Sequence, residues 1–263
     1  MKLQHFTTST LPVVAIATLL GVASAPANAQ TLAIGSTSGS WSNPNGGTAI
    51  QYLTDGDEAQ IRWGNPATGY ATAGKSGLGF EGIGPSEITV GENFLLGTLS
   101  HYNLTIWSGT AADAADLSLN LDLGEAGNQQ FDFTLNIDET LNLTSTQKRN
   151  GSQCPYITTT FGCSDSITWE NPIEDAFMEN VFQMAGKEYK LQLIGFSDTI
   201  DGEPVEQFIS QEGGVSRTNL FARIIQVSPE NQDVPEPTAM LGLGLFGLYA
   251  ASNVRRRKLA ASE

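Results

Sequence analysis

The chain has 263 residues, with 28 Asp and Glu against 13 Lys and Arg, for a formal net charge of −15. Between Gln30 and Asp233 there are 26 acids and 8 bases, a net −18, and such a field repels nucleic-acid phosphates and anionic lipid. That excludes nucleic acid as a partner, while acidity of this size ordinarily serves as a solvated surface that keeps an exported protein soluble.

Lys2 and His5 give the chain a weakly positive start, Leu11 to Val22 form a short apolar stretch, and Ala27-Asn28-Ala29 supplies a small-x-small site for signal peptidase. The apolar run is too short for a stable bilayer anchor and ends at Pro26 among small residues. Residues 1–29 are therefore expected to be a secretion signal, cleaved after Ala29 to leave Gln30 first.

Residues 30–233 are long enough for one sizeable core, and no linker divides them. The dominant period is two. Leu117, Leu119, Leu121 and Leu123 alternate with polar residues, as do Phe131, Phe133, Leu135 and Ile137. Gly124 to Asn128 between them is a turn segment, so the pair is expected to form an antiparallel hairpin. Further strands are expected at Gln60–Trp63, Phe94–Trp107, Tyr189–Phe196 and Leu220–Val227. This pattern predicts an all-β fold, an antiparallel β-sandwich of jelly-roll-like type. The best helical spacing in the body is Ile173 to Gln183, and Gly74 to Gly84 reads as a flexible turn or edge region. The latter lacks both the Lys-Ser/Thr ending of a P-loop and the setting of a dinucleotide site.

Cys154 and Cys163 are the only cysteines, in a Gly-, Ser- and Thr-rich stretch, and in an exported chain they predict a local disulfide. His101 is the one histidine after residue 29, and its place in an apolar strand predicts a hydrogen-bonded structural role. A catalytic triad or zinc site would need this residue, and local spacing suggests neither. Two acidic turns are weak calcium candidates, Asp55 with Asp57 and Asp198 with Asp201, although Asp and Gly favour turns for conformational reasons alone. Otherwise no metal or cofactor is expected. Among the tryptophans, Trp63 and Trp107 lie in apolar strands and read as core. Trp41 and Trp169 have polar neighbours, which makes them the weak candidates for an exposed sugar-stacking face.

At the C-terminal end, Val234-Pro235-Glu236-Pro237 precedes a nearly uncharged segment, Thr238 to Val254, and then Arg255-Arg256-Arg257-Lys258. The 17 residues of that segment, at about 1.5 Å each, would give roughly 25 Å of helix, enough for a thin hydrocarbon core. The basic cluster would stay cytoplasmic and leave the body outside. These features in this order resemble the PEP-CTERM sorting signal, so residues 234–263 are expected to be such a tail. The resemblance implies recognition by an exosortase in the inner membrane and processing at or near Pro-Glu-Pro, so the anchor is temporary and the destination is the cell surface or extracellular matrix.

The body resembles the choice-of-anchor K domain found before such tails. The resemblance is carried by Phe94 to Ile106, the leucines at 117 to 123, Phe131 to Leu143, Tyr189 to Phe196 and Leu220 to Ile224, and covers most of residues 41–227. It implies fold and location and supplies no catalytic residue. The expected function is thus a non-enzymatic surface or matrix component associated with exopolysaccharide. The alternatives are a carbohydrate-binding module, with or without calcium, and a secreted glycoside hydrolase, which needs a cleft with two carboxylates.

Overall fold

A computed structural model describes residues 30–142, 153–170, 177–199 and 202–227. The expected secretion signal and sorting tail lie outside these residues, and among the described residues no helix is long and apolar enough to cross a membrane.

The described chain is all-β and antiparallel. In order its strands are β1 (Thr31–Ile34), β2 (Thr37–Gly46), β3 (Gln51–Asp55), β4 (Glu58–Trp63), β5 (Ser76–Gly82), β6 (Ser86–Thr89) and β7 (Asn93–Asn103). The rest are β8 (Ala112–Asp122), β9 (Asn128–Asp138), β10 (Asp165–Trp169), β11 (Phe177–Met184), β12 (Lys187–Ser197), β13 (Gln207–Ser210) and β14 (Gly214–Gln226). They form a five-stranded sheet, β13-β10-β9-β8-β2, a seven-stranded sheet, β11-β12-β14-β7-β5-β4-β3, and a small pair, β1-β6.

The expected hairpin is β8 and β9, with Leu117 opposite Phe133 and Leu119 opposite Phe131. Its turn contains a short 3-10 segment at Gly124–Ala126. The alternating leucines and phenylalanines are buried and meet Ile61, Leu78, Phe80, Leu96, Leu99 and Leu220 of the larger sheet in one apolar core. Polar links also cross between the sheets. The Trp41 indole N–H donates to the carbonyl of Ala59 at 2.8 Å, and the Thr37 hydroxyl donates to the carbonyl of Leu96 at 2.6 Å. The architecture is therefore sandwich-like, with period-two strands burying one face each.

Three sequence expectations of secondary structure are corrected. The spacing at Ile173–Gln183 suggested a helix, yet Phe177–Met184 is the edge strand β11 paired with β12. Phe182 and Met184 are buried and Val181 is exposed, which is period two; the apparent helical face combined residues from both sides of a strand. Gly74–Gly84 is likewise no edge, because Ser76–Gly82 is β5, hydrogen-bonded between β4 and β7. Its glycines are spacers: a Cβ at Gly79 would come within 2.2 Å of the Glu58 carboxylate, and one at Gly77 within 2.2 Å of the Ile61 carbonyl. Leu78 and Phe80 fill the inner face between them. The strand expected at Phe94–Trp107 stops at Asn103.

Candidate functional site

The buried face of β9 carries Phe131, Phe133, Leu135 and Ile137, and the alternation continues one step past the strand to Glu139. On β10 the same face carries Asp165, Ile167 and Trp169, all buried. These strands pair with Ser166 opposite Asp138 and Ile167 opposite Ile137, so one more step of the register sets Asp165 against Glu139. From the other sheet, β7 presents Leu99, His101 and Asn103. Glu212, in the turn between β13 and β14, completes an acidic, polar end to an otherwise apolar core.

The ligand atoms of His101, Glu139 and Asp165 all lie within 4.8 Å of one another. Asp165 Oδ1 accepts the Thr140 backbone N–H at 2.8 Å and its hydroxyl at 3.1 Å. Glu212 Oε1 accepts the Thr105 hydroxyl at 3.1 Å, and the Asn103 amide donates to the Ser210 carbonyl at 3.2 Å. The remaining inward atoms have no hydrogen-bond partner: both ring nitrogens of His101, Glu139 Oε2, Asp165 Oδ2 and Glu212 Oε2, with Asn103 Oδ1 and Asn142 Oδ1. Buried polar atoms are nearly always paired, so this many in one place is a feature to be explained.

Charge in this enclosure is costly, and the proton affinities record it. Burial first, then Asp138, raises Asp165 to about 7, with hydrogen bonds from Thr140 and Asn103 acting the other way. Burial and then Asp165 raise Glu212 to about 7 against the hydrogen bonds of Thr105 and Asn142. Glu139 is pushed well up by burial, Asp165 and Glu212. Burial and then Arg62 hold His101 down to about 3, so its imidazole is neutral and retains a lone pair. Chemically, such a group can share protons among the acids or hold a cation between the acids and the imidazole; His101, Glu139 and Asp165 are the residues able to bind one.

A second polar network occupies the outer face of the larger sheet. Gln60 donates to Glu58 at 2.6 Å and to the Tyr102 hydroxyl at 2.8 Å, and Tyr102 donates to Glu58. The Arg62 guanidinium stacks 3.2 Å from the centre of the Tyr102 ring. Burial alone would raise Glu58, but hydrogen bonds from Ser100, Tyr102 and Gln60, with Arg217 nearby, carry it below its ordinary value. This network is internally satisfied except at Glu58 Oε1.

The residues singled out in the sequence fall elsewhere. Trp41 and Trp169 are buried, at 7% and 9% exposure, because both are inward residues of strands whose outward neighbours are the polar ones. Trp169 stacks on Phe196 with ring centres 4.7 Å apart. Trp63 is core as expected, but Trp107, beyond the end of β7, is 55% exposed. Asp55 at the end of β3 and Asp57 in the two-residue turn to β4 are both exposed, and Gly56 between them has φ 61°, the conformational role that turn residues serve. Asp198 is exposed, and Asp201 lies outside the described residues. Cys154 and Cys163 form a disulfide with Cα atoms 5.2 Å apart. His101 is buried, but the expected hydrogen bond is not made.

Glu139, Asp165 and Glu212 escaped the sequence reading because they are 26 and 47 positions apart. The available signal was an acid where strand alternation calls for an apolar side chain. No protein-family model matches the chain, and no curated protein matches it.

Proposed function

We propose that the chain is an exported, non-enzymatic component of the cell surface or extracellular matrix, delivered by a PEP-CTERM tail and associated with exopolysaccharide. The observation that carries this reading is the Cys154–Cys163 disulfide in a strongly acidic sandwich, which suits an oxidising compartment. Signal peptidase would act after Ala29. An exosortase would recognise Val234 to Pro237 with the basic cluster at Arg255 to Lys258, holding the chain briefly in the inner membrane. The jelly-roll-like class belongs to the same reading and draws support from the way β2, β8, β9 and β10 are exchanged into one sheet while β3 to β5 and β7 join the other. The arrangement of the acids favours this over a hydrolase, since Asp165 and Glu212 are buried and ligand oxygens of Glu139 and Asp165 lie within 4.8 Å of one another rather than across an open cleft. Replacing Pro235, Glu236 and Pro237 with alanine should leave unprocessed protein in the inner-membrane fraction; processing and release like the parent would refute the sorting assignment.

One observation favours carbohydrate binding as a second reading. Trp107 and Tyr70 are 55% and 57% exposed on neighbouring loops, joined where the Trp107 N–H donates to the Asn65 carbonyl at 2.9 Å. Binding to the host's own exopolysaccharide, with and without calcium, should then weaken on Trp107→Ala. No binding by the parent in either condition would eliminate this reading.

A further inference from the structure

The inward register of β9 and β10 sets two carboxyl groups, Glu139 and Asp165, side by side at the closed end of the core, with Glu212 nearby. Like charges opposite one another in a sheet are destabilising, and a buried unpaired carboxylate is far more so. The hydrogen-bond donors to these groups are neutral: Thr140 and Asn103 to Asp165, Thr105 and Asn142 to Glu212. Two arrangements relieve such a cluster. In one the acids are protonated and hydrogen-bond to one another or to His101. In the other a cation sits among them.

The geometry separates the two. A carboxylic acid that served as donor to its neighbour or to the imidazole would stand at about 2.6–3.0 Å from it. Instead Glu139 Oε2, Asp165 Oδ2 and both His101 nitrogens have no hydrogen-bond partner, although ligand atoms of the three residues lie within 4.8 Å. That spacing is at most about twice a metal–ligand bond of 2.0–2.4 Å. The independent indication is His101. It is fully buried, comes from the opposite sheet, and aims a ring nitrogen at the carboxylates with nothing else to bind.

We infer that His101, Glu139 and Asp165 form an interior site for one divalent metal cation, which ties β7 of one sheet to the β9–β10 pair of the other. Glu212 stands beside it as a further oxygen donor and also lines a surface groove with Phe161 and Ser216. One imidazole with two or three carboxylates suits a manganese- or zinc-like ion better than calcium, which takes oxygen ligands alone. The cation offsets the acids' charge, as neutral donors cannot. The site is distinct from the acidic turns at Asp55 and Asp198 and independent of how the chain is sorted.

The test uses the full protein purified from its own cells. Metal content is measured first; then thermal unfolding is followed after EDTA treatment and after adding back manganese, zinc or calcium singly. One bound ion per chain is expected, with a midpoint about 5–10 °C higher when manganese or zinc is present at a hundred times its dissociation constant. Asp165→Asn and Glu139→Gln keep the side-chain shape and remove charge. Each should abolish the metal-dependent rise while unfolding, metal-free, no lower than the EDTA-treated parent. Should neither variant fold, the parent's metal content and its response to EDTA still decide. A parent with no bound ion and no rise with any of the three cations overturns the site. So does a rise that survives both substitutions, or a rise with calcium alone that His101→Gln leaves unchanged.

Discussion

Trp169 tests whether the tryptophans flanked by polar residues belong to the core or to a binding surface. It is 9% exposed, stacked on Phe196 at 4.7 Å and 12°, and tilted against Phe133 at 6.0 Å. An aromatic side chain buries about 150–250 Å², worth roughly 4–6 kcal/mol at 25 cal/mol per Å², and denatured-state compactness trims this to about 3–5 kcal/mol. One term opposes the loss: the buried indole N–H has no partner, and removing it returns about 1–3 kcal/mol. The cavity left behind adds to the loss, so that Trp169→Ala should cost about 2–4 kcal/mol, lowering the thermal midpoint by about 5–15 °C in a protein of this size. Trp169→Phe keeps the stacked ring and discards the unpaired donor, so its stability should stay within about 1 kcal/mol of the parent. Urea or thermal unfolding of the purified protein, followed by circular dichroism, measures both. A Trp169→Ala variant melting within about 2 °C of the parent would refute the burial argument and return Trp169 to the list of surface residues.

Replacing Cys154 and Cys163 with serine opens a loop of nine-residue separation and should cost about 2.5–3 kcal/mol by chain entropy, read as a lower urea midpoint. Gly97→Ala would place a Cβ 2.3 Å from Phe80 and 2.6 Å from the Glu81 carbonyl, so a loss of about 1–3 kcal/mol is expected; Gly84→Ala, with open space around it, should change stability by less than about 0.5 kcal/mol. If β11 is a strand, Phe182→Ala should be destabilising and Val181→Ser nearly neutral in the same unfolding assay, and the reverse order would restore the helical face. The Tyr102 hydroxyl is raised to about 12 by burial and by Glu58. The folded form thus holds its proton more tightly than the unfolded chain, giving stability that is fully present below about pH 10 and lost as pH rises toward 12. Tyr102→Phe should flatten that alkaline loss in a pH series of melting temperatures.

The parts of the fold that were legible in the sequence are those whose inward residues are large and whose outward ones are polar. β8 from Leu117 to Leu121 and β9 from Phe131 to Ile137 meet that condition, and their hairpin was plain. β2 does not: among Ser, Gly, Asn and Pro it offers one large apolar residue, Trp41, whose burial depends on Leu117 beside it and the Ala59 carbonyl across the core. β5 failed for the opposite reason. Its glycines signalled flexibility, while their function is to leave room for Glu58 and the backbone of β4 above a central strand. Trp107 followed an apolar run and was read as part of it, but the strand ends four residues earlier.

The buried site follows from the same alternation carried a step further. Residues 131, 133, 135 and 137 are apolar and inward, and 139 is Glu; residues 167 and 169 are inward, and 165 is Asp; residue 99 is inward, and 101 is His. Each strand thus ends its apolar row with a metal-capable side chain on the wrong face for solvent. One strand ending this way would be unremarkable, since strand ends fray toward water. Three that do so matter only because the β9–β10 register and the packing of β7 bring the three ends together, and neither is encoded in local spacing. A sandwich with these acids at its rim would lose nothing by pointing them outward. That they are turned in, together with a histidine that binds nothing else, is the reason to regard this end of the core as built around a charge of the opposite sign.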